Sequence, residues 1–332
     1  MNRKWKNRLF SIRHGVRVPP DAVIGGNSKV RAETAVLQQN LRIGRHVQIQ
    51  CKRLEIGRGV SIGNHTVIRG VGTVRIGNHA TIGSHVFVDG FSSASLEIGP
   101  LSWIGRQSIL NCSANLAIGK GTCVGIGSRI FTHGCWFESA EGYPLNYRDV
   151  TIGDNVWLAL ETVVQPGAVI EDDVFVHAGS VVNGRLVSGF MYRGIPAARH
   201  QPLSRIRKRM TPVDKMEVIA RTLSTRLIQA GWEGEAVETL RFRNPCPFRK
   251  SGRRLSLVFL NGRNHEGFQP EADTVVFAAA ADPEWIRRAA EGPSRLIVDV
   301  SAKKGYGDKN LETLVLNLLQ DCVFRFYADD ET

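Results

Sequence analysis

An aliphatic residue returns at every sixth position over about half of this chain. Between positions 152 and 182 the period is unbroken, and its members are Ile152, Leu158, Val164, Ile170, Val176 and Val182. An α-helix repeats near 3.6 residues and a half-buried strand repeats at two. Gly, Pro, Asn and Asp fall inside the units, where they would break one long helix or strand. The period therefore predicts a solenoid of short strands separated by corners.

The same six-residue units extend upstream to residue 18. Their predicted inward-facing residues are Val18, Ile24, Val30, Val36, Ile43, Ile49, Ile56, Ile62, Ile68, Ile76, Ile82, Val88, Ile98, Ile104, Leu110, Ile118, Val124 and Ile130. Most groups close after three members, and the extra residues fall between groups. A three-sided coil of about eighteen residues explains this grouping, because insertions then collect at one corner. We expect the coils to stack ~4.8 Å apart by parallel strand pairing, around a core of Ile and Val.

Composition and charge limit the class of protein. The apolar fraction of 42% and the charged fraction of 22% are typical of soluble globular proteins. No apolar run approaches the ~18 residues of a spanning helix, and the N-terminus lacks a signal-peptide core. The six cysteines form no CxxC pair, which favours reduced thiols in the cytoplasm and predicts no metal site. The net charge of +12 indicates affinity for anions, but no nucleic-acid-binding motif accompanies it.

The repeats over residues 18–200 resemble the hexapeptide-repeat acyltransferases, which fold as a left-handed parallel β-helix. The stretch 150–182 resembles the branch that acetylates sugars, as maltose, galactoside and Nod-factor acetyltransferases do, and "RGIPAAR" at 193–199 is similar to the closing motif of that branch. The resemblance implies transfer of acetyl from acetyl-CoA to a saccharide hydroxyl, in envelope or capsule polysaccharide biosynthesis. It also implies a homotrimer, because that family builds its acyl-CoA slot between subunits.

One long insertion separates Ile130 from Ile152, and it begins with His133. Long loops within a compact repeat are usually functional, and a histidine titrates near neutrality, as a general base requires. In the resembled family the catalytic histidine stands just before such a loop. Four other histidines also follow a repeat aliphatic by three residues, and we assign these to corners with a left-handed backbone. They are His46, His65, His79 and His85.

The resemblance also implies the other members of the site. Asn111 is similar to an asparagine that contacts the acceptor one coil earlier, and three acids of the insertion could orient the imidazole or bind the acceptor: Glu138, Glu141 and Asp149. The coenzyme A arm is expected along small residues of the last coils, beside a tryptophan, with arginines near its phosphates. These predicted cofactor-binding residues are Trp157, Ala159, Ala178, Gly179, Arg185, Arg193 and Arg199. The family's usual lysine motif "TKDVP" has no counterpart here.

The two ends differ in composition from the repeats. Residues 1–17 carry six Lys or Arg and no acid, with apolar residues at helical spacing. This basic helix either caps the first coil or lies on an anionic membrane surface at the inner face, which would suit a lipid-linked acceptor. Residues 201–212 form a predicted basic linker. Residues 213–332 are predicted to form a smaller α/β domain, with helices near 213–230, 283–291 and 308–320, and no role is assigned to it.

Three other functions remain open at this point. The same scaffold could acylate an amino sugar nucleotide or another small acceptor through His133. A γ-type carbonic anhydrase shares the fold but needs three histidines around a metal between subunits, and His79, His85 and His133 lack its short histidine pair. A non-enzymatic scaffold would not need a histidine beside a long loop. The prediction is therefore a mainly β protein with O-acetyltransferase activity.

Overall fold

A computed structural model describes residues 18–135, 137–237, 245–261, 265, 268–279, 281–291, 294–300, 302–319 and 327–328. The chain divides into two compact units, Met1–Arg207 and Lys208–Thr332. The basic helix predicted over residues 1–17 lies outside the described residues. The membrane contact predicted for that helix therefore stays a prediction. The boundaries proposed from the sequence stay predictions.

The first unit is built from three sheets that run along its length. Sheet A contains Val23–Ile24, Arg42–Ile43, Ser61–Ile62, Thr81–Ile82, Trp103–Ile104, Cys123–Val124, Trp157–Leu158, Phe175–Val176, Phe190–Arg193 and Ala198–Pro202. Sheet B contains Lys29–Arg31, Gln48–Gln50, Val67–Arg69, Phe87–Gly90, Ile109–Cys112, Arg129–Ile130, Val163–Val164 and Val181–Val182. Sheet C contains Thr34–Leu37, Arg53–Ile56, Thr73–Ile76, Ser95–Ile98, Leu116–Ile118, Val150–Ile152, Val169–Ile170 and Arg185–Leu186.

Successive coils pair in parallel on all three sides, for example Ile82 with Ile104 and Ile104 with Val124. Within the three long sheets, the described exception is the last pair of sheet A, where Ala198–Pro202 runs antiparallel to Phe190–Arg193. The predicted fold class, a mainly β protein with a parallel hexapeptide-repeat β-helix ahead of a smaller α/β unit, is confirmed.

The repeat aliphatics fill the interior of the β-helix, as predicted, with one correction. Val36 is 61% exposed, and its neighbour Leu37 is the buried residue of that strand. The physical reason is the place of the one-residue slip. It falls between Val30 and the third strand, so that Leu37, Ile43 and Ile49 are six apart and all point inward.

The corners differ in length in the way that the sequence predicts. Every corner from sheet A to sheet B has the same length, whereas the connections from sheet B to sheet C vary. The longest of them joins Ile130 to Val150 and holds the insertion with His133. Insertions at this edge leave the stacked strands undisturbed, because each coil pairs only with its neighbours.

The histidines assigned to corners have the predicted left-handed backbone. The φ angles of His46, His65, His79 and His85 are 57°, 58°, 55° and 59°. Three of these rings also stack along one corner, with centroids 4.8 Å apart between His46 and His65 and 4.9 Å between His65 and His85. Their regular spacing follows from the rise between coils, so these histidines are explained by the fold.

The second unit contains a six-stranded mixed sheet. Its strands, in spatial order, are Cys246–Lys250, Arg253–Asn261, Thr274–Ala279, Arg295–Asp299, Lys304–Gly307 and Tyr327–Ala328. The helices are α1 (Pro212–Gln229), α2 (Pro283–Ala290) and α3 (Lys309–Leu318), close to the predicted positions. Helix α1 begins with a capping box between Thr211 and Asp214, which satisfies the first backbone donors. A strand suggested by the sequence at 322–327 lies almost entirely outside the described residues.

A chain that ends at Arg207 is expected to fold alone. The core of the first unit consists of contacts between neighbouring coils, so it does not depend on residues far along the chain. Circular dichroism and thermal unfolding would test this. An unfolded or insoluble product would show that the second unit is needed for the β-helix to form.

Candidate active site

The long insertion forms a hairpin at the edge between sheets B and C. His133–Cys135 pairs antiparallel with Leu145–Tyr147, which places His133 opposite Tyr147. The connection includes a short 3₁₀ helix, Ser139–Glu141. The hairpin is anchored where it leaves the β-helix, since the backbone N–H of Arg148 donates to the carbonyl of Thr132 at 2.9 Å. His133 therefore lies at the fixed base of the hairpin.

His133 differs from the corner histidines in its backbone as well as in its neighbours. It lies in an extended strand, and it is not among the residues with positive φ. The sequence placed it in register with the corner histidines, three residues after a repeat aliphatic. The chain leaves the coil at this point, so the left-handed turn of an ordinary corner is not made. Its side chain is consequently half-buried beside the preceding coil.

The imidazole of His133 is held by Asn111 of the preceding coil. The distance from His133 Nδ1 to Asn111 Oδ1 is 2.7 Å. The backbone N–H of Ser113 also donates to Asn111 Oδ1, at 3.3 Å, and Asn111 Nδ2 donates to Ser113 Oγ at 3.1 Å. A backbone N–H can only donate, so the atom that faces it is the amide oxygen. Nδ1 therefore carries a hydrogen, and Nε2 is the nitrogen with the free lone pair.

Thr132 connects this pair to the frame of the β-helix. Its side chain is buried, and its hydroxyl lies 3.0 Å from the carbonyl oxygen of Asn111 and 3.1 Å from Asn111 Oδ1. The backbone N–H of Ala114 donates to the same hydroxyl at 2.9 Å. Thr132 and Ser113 were not identified from the sequence. The signal that could have found them is their position in the sequence, next to His133 and two residues after Asn111, respectively. These contacts hold the amide of Asn111 in the orientation that the imidazole needs.

The three predicted acceptor-binding acids lie on the insertion, but none of them contacts His133. Among the described residues, the hydrogen-bond partners of the His133 ring are Asn111 and Ser113, the latter at 3.4 Å. Asp149 accepts hydrogen bonds from the backbone and side-chain nitrogens of Asn115 at 2.9 and 3.2 Å. Glu138 and Glu141 are exposed at the 3₁₀ helix. Acceptor binding by these acids stays a prediction.

Two exposed aromatic rings extend from the histidine along the surface. The ring of Tyr147 is stacked near His133 with centroids 6.0 Å apart, and the ring of Phe91 follows at 5.6 Å from Tyr147. Tyr147 is 43% exposed and Phe91 is 48% exposed. This Phe91–Tyr147 surface was not predicted, because the two residues are far apart in the sequence. It provides an apolar face next to the candidate base, as ligand sites commonly do.

The residues predicted to line the coenzyme A arm form what we call the cofactor wall. They lie on sheet A and at a corner of the β-helix away from His133. Trp157 projects from sheet A, while Ala159, Ala178 and Gly179 belong to the corner between sheets A and B. His133 stands at the corner between sheets B and C, so one chain does not bring these residues together. Gly179 has a φ of 68°, and a Cβ atom there would meet nothing within 4 Å. The wall is therefore open to solvent in a single subunit.

The three predicted phosphate-binding arginines lie on two sheets, and their role in binding phosphate stays a prediction. Arg185 lies on sheet C and donates to Glu171 from Nε at 2.8 Å. Arg193 and Arg199 lie on the two antiparallel strands that end sheet A, where Arg199 sits 4.2 Å over the ring of Phe190. The N–H of Ser188, and then Arg185, lower the pKa of the Glu171 carboxyl.

Native labelling with a maleimide is expected to modify Cys135 first and to leave Cys51 and Cys112 largely intact. Cys135 is exposed on the hairpin. Burial raises the pKa of the Cys51 and Cys112 thiols to about 12, so little thiolate forms at neutral pH. Peptide mass spectrometry over time would measure the order, and equal rates at Cys112 and Cys135 would contradict it.

Among the described residues, no group of three or more His, Cys, Asp or Glu side chains is arranged to hold a metal ion. His79, His85 and His133, the three histidines considered for a carbonic anhydrase, stand at three different corners of the β-helix. In the same part of the chain, no helix is both long and apolar enough to cross a membrane.

A parallel β-helix of six-residue repeats with a histidine at the base of a long insertion is the architecture expected for a hexapeptide-repeat acyltransferase. No family model matches the chain. The chain is 29% identical over 102 residues to a candidate colanic acid biosynthesis acetyltransferase of Escherichia coli, covering 31% of this chain and 56% of that protein. It is 28% identical over 127 residues to the galactoside O-acetyltransferase of Escherichia coli, covering 35% of this chain and 61% of that protein.

Among solved structures, a polysialic acid-specific acetyltransferase superposes with a TM-score of 0.40 at 17% identity, covering 59% of this chain and 81% of that one. The chain spans a little over half the length of the two curated relatives. Both of those relatives are named as acetyltransferases, and one is named for its sugar. The predicted resemblance to sugar O-acetyltransferases of the hexapeptide-repeat class is confirmed by these matches.

Proposed function

We propose that this protein transfers an acetyl group from acetyl-CoA to a hydroxyl group of a saccharide, in envelope or capsule polysaccharide biosynthesis. The observation that carries the proposal is the 2.7 Å contact between His133 Nδ1 and Asn111 Oδ1, which leaves Nε2 as the base. The exposed rings of Phe91 and Tyr147 beside it suit the apolar face of a sugar. Similarity to sugar O-acetyltransferases supports the same reaction.

Acetyl-CoA supplies an acetyl group that is already activated as a thioester. His133 Nε2 accepts the proton of the saccharide hydroxyl while the hydroxyl oxygen attacks the acetyl carbonyl carbon. The bond from that carbon to sulfur then breaks, and Nε2 returns the proton to the departing sulfur. Asn111 Oδ1 accepts the Nδ1–H hydrogen bond throughout, which fixes the tautomer and stabilises the imidazolium. Holding both substrates in line is the remaining contribution of the protein.

The donor site is proposed to be completed between subunits of a homotrimer. Within one chain, the open corner at Ala178 and Gly179 is separated from His133 by the width of sheet B. Sheet A carries an outward column that includes Trp103, Trp157 and Phe175, of which Trp157 is exposed and the other two are half-buried. A partly exposed apolar column of this kind favours association. Light scattering is expected to give a mass of three copies. In that trimer, Arg193 and Arg199 are expected to lie near the phosphates of the donor. A fully active monomer would overturn this arrangement.

The reaction itself is tested by release of coenzyme A in the presence of candidate saccharides. A saccharide that stimulates release should gain the mass of one acetyl group, and hydroxylamine should remove that group because it is an ester. An acetyl group that resists hydroxylamine would indicate an amide and favour the N-acyltransferase alternative. No transfer to any saccharide would remove the proposed function.

Replacing Asn111 with aspartate is expected to shift the acid limb of the pH–rate profile to higher pH. The carboxylate would keep the acceptor for Nδ1–H, and its negative charge would favour the imidazolium over the neutral imidazole. Less of the neutral base would then be present at acidic pH, so activity should fall there and recover at alkaline pH. Asn111→Ala should lose activity across the range. Equal loss at every pH in both variants would show that Asn111 has only a structural role.

A further inference from the structure

One column of polar side chains leads along sheet B to the candidate active site. The strand register places Arg31 opposite Gln50, Arg69 opposite Asp89, and Asp89 opposite Asn111, and Gln50 precedes Arg69 in the same column. The residue that precedes each of these positions in its strand is buried in the core, so the column faces outward. With a coil spacing of about 4.8 Å, the four steps span roughly 19 Å. We call these five residues the polar ladder.

Sheet B is the basic face of the β-helix. Its outward strand positions include the cations Lys29, Arg31, Arg69 and Arg129, against the single acid Asp89. Asp89 is paired with Arg69 at 3.0 Å, and both remain about half exposed. Sheet B therefore keeps an excess of positive charge at the start of the ladder.

Over the early coils beside the ladder, the other two faces carry a smaller positive excess. The outward column of sheet C alternates Glu55, Arg75 and Glu97, which pair at 3.2 and 2.6 Å, so that column has no positive excess. The strand cations of sheet A are Arg42 in an early coil and Arg193 and Arg199 on its last two strands. Sheet A becomes apolar towards its later coils, with Trp157 and Phe175 facing outward. An anionic ligand is consequently attracted to sheet B in preference to the other faces.

The ladder ends at the catalytic pair. Asn111 is both its last member and the partner of His133, and Asp89 lies two residues before Phe91 of the aromatic surface. Arg69 also lies over the ring of Phe87, with its guanidinium carbon 5.1 Å from the centroid. Sheet B thus presents exposed cations, amide groups and aromatic rings in one line that starts beside His133.

We propose that the acceptor is an extended acidic saccharide that lies along this ladder. The sugar ring to be acetylated rests on Phe91 and Tyr147 beside His133 Nε2, and the chain continues towards Arg31. Its carboxylates are bound by Arg31 and Arg69, since a guanidinium binds carboxylate through paired hydrogen bonds. The amide of Gln50 and the carboxylate of Asp89 serve hydroxyl groups in between. This inference rests on the proposed function and specifies the class of its acceptor.

Binding without any acyl donor tests the ladder directly. Immobilised polysialic acid, polygalacturonic acid and hyaluronan are the acidic probes, and dextran of similar length is the neutral one. At least one acidic polymer should bind about tenfold more tightly than dextran and than its own monosaccharide. The double variant Arg31→Gln and Arg69→Gln should lower that affinity about tenfold or more, which corresponds to about 1.4 kcal/mol.

A matched control removes two exposed cations from the other faces of the same early coils. Arg42→Gln and Arg53→Gln lie on sheets A and C and change the net charge by the same amount. Their double variant should bind the acidic polymer within about threefold of wild type, because screening weakens distant charges. Equal loss in both double variants would reduce the effect to net charge and overturn the proposal.

Other results would also overturn it. Equal binding of dextran and all three acidic polymers would do so. So would a ladder variant that binds the acidic polymers normally and loses binding only to phosphatidylserine vesicles or single-stranded DNA. His133→Ala should keep polymer binding while it lowers the rate of transfer by about 10²–10⁴-fold. Ladder variants that bind normally while transfer still depends on His133 would remove only this inference. Polymer binding through the ladder without acetyl transfer would instead remove the proposed reaction.

Discussion

Replacing His133 with alanine is expected to lower kcat by about 10²–10⁴-fold, the range for loss of a positioned general base. The Nε2 atom that would take the hydroxyl proton disappears, while the hairpin can keep its backbone pairing with Leu145–Tyr147. Affinity for acetyl-CoA should change little, because the proposed donor contacts lie on later coils and at another corner. Steady-state kinetics with an acceptor found by the saccharide screen would measure kcat, and calorimetry would measure donor affinity.

The matched control for this variant is His85→Ala. His85 carries the same ring and is exposed, but it stands at a corner with a φ of 59° and stacks on His65. Its loss should leave kcat within about twofold of wild type, since surface substitutions away from a site have small effects. An inactive His85 variant together with an active His133 variant would place the active site at the corner between sheets A and B.

Replacing Ile68 with alanine is expected to lower the free energy of unfolding by about 2–5 kcal/mol. Ile68 is 0% exposed inside the β-helix, and its strand pairs with those of Gln48–Gln50 and Phe87–Gly90. The missing side chain would leave a cavity that stacked coils cannot close, because their spacing is set by backbone hydrogen bonds. Urea unfolding followed by circular dichroism would give the change.

Ile206→Ala is the control for the cavity, since Ile206 is 54% exposed near the end of the first unit. Its change should stay within about 0.5 kcal/mol, as is usual for exposed positions. Equal losses for Ile68 and Ile206 would mean that the repeat interior does not carry the stability of the β-helix.

The sequence was enough to predict the architecture because the interior of the β-helix is one-dimensional. Each coil needs a buried aliphatic residue on each of its three sides. The positions of Ile104, Leu110 and Ile118 in the sequence therefore identify the three sides directly. The corner histidines were predicted for a similar reason, since a single backbone conformation recurs at each corner. The error at Val36 arose where a slip of one residue can fall at either side of a strand, and only burial of Leu37 decided it. The left-handed winding of the β-helix was predicted from the family resemblance, because the residue spacing does not distinguish a left-handed from a right-handed helix.

By itself the sequence determined which residue stands at the base of the insertion, namely His133. Only the tertiary structure decided what surrounds it. Asn111 was predicted to contact the acceptor, which stays a prediction, and coil stacking places its amide oxygen 2.7 Å from His133 Nδ1. Arg185 was expected near a phosphate, and it is paired with Glu171. The physical reason is the same in both cases. Repeat spacing fixes the face on which a side chain lies, but the length of each insertion sets which residues of neighbouring coils become adjacent, and adjacent side chains choose their partners by geometry and charge.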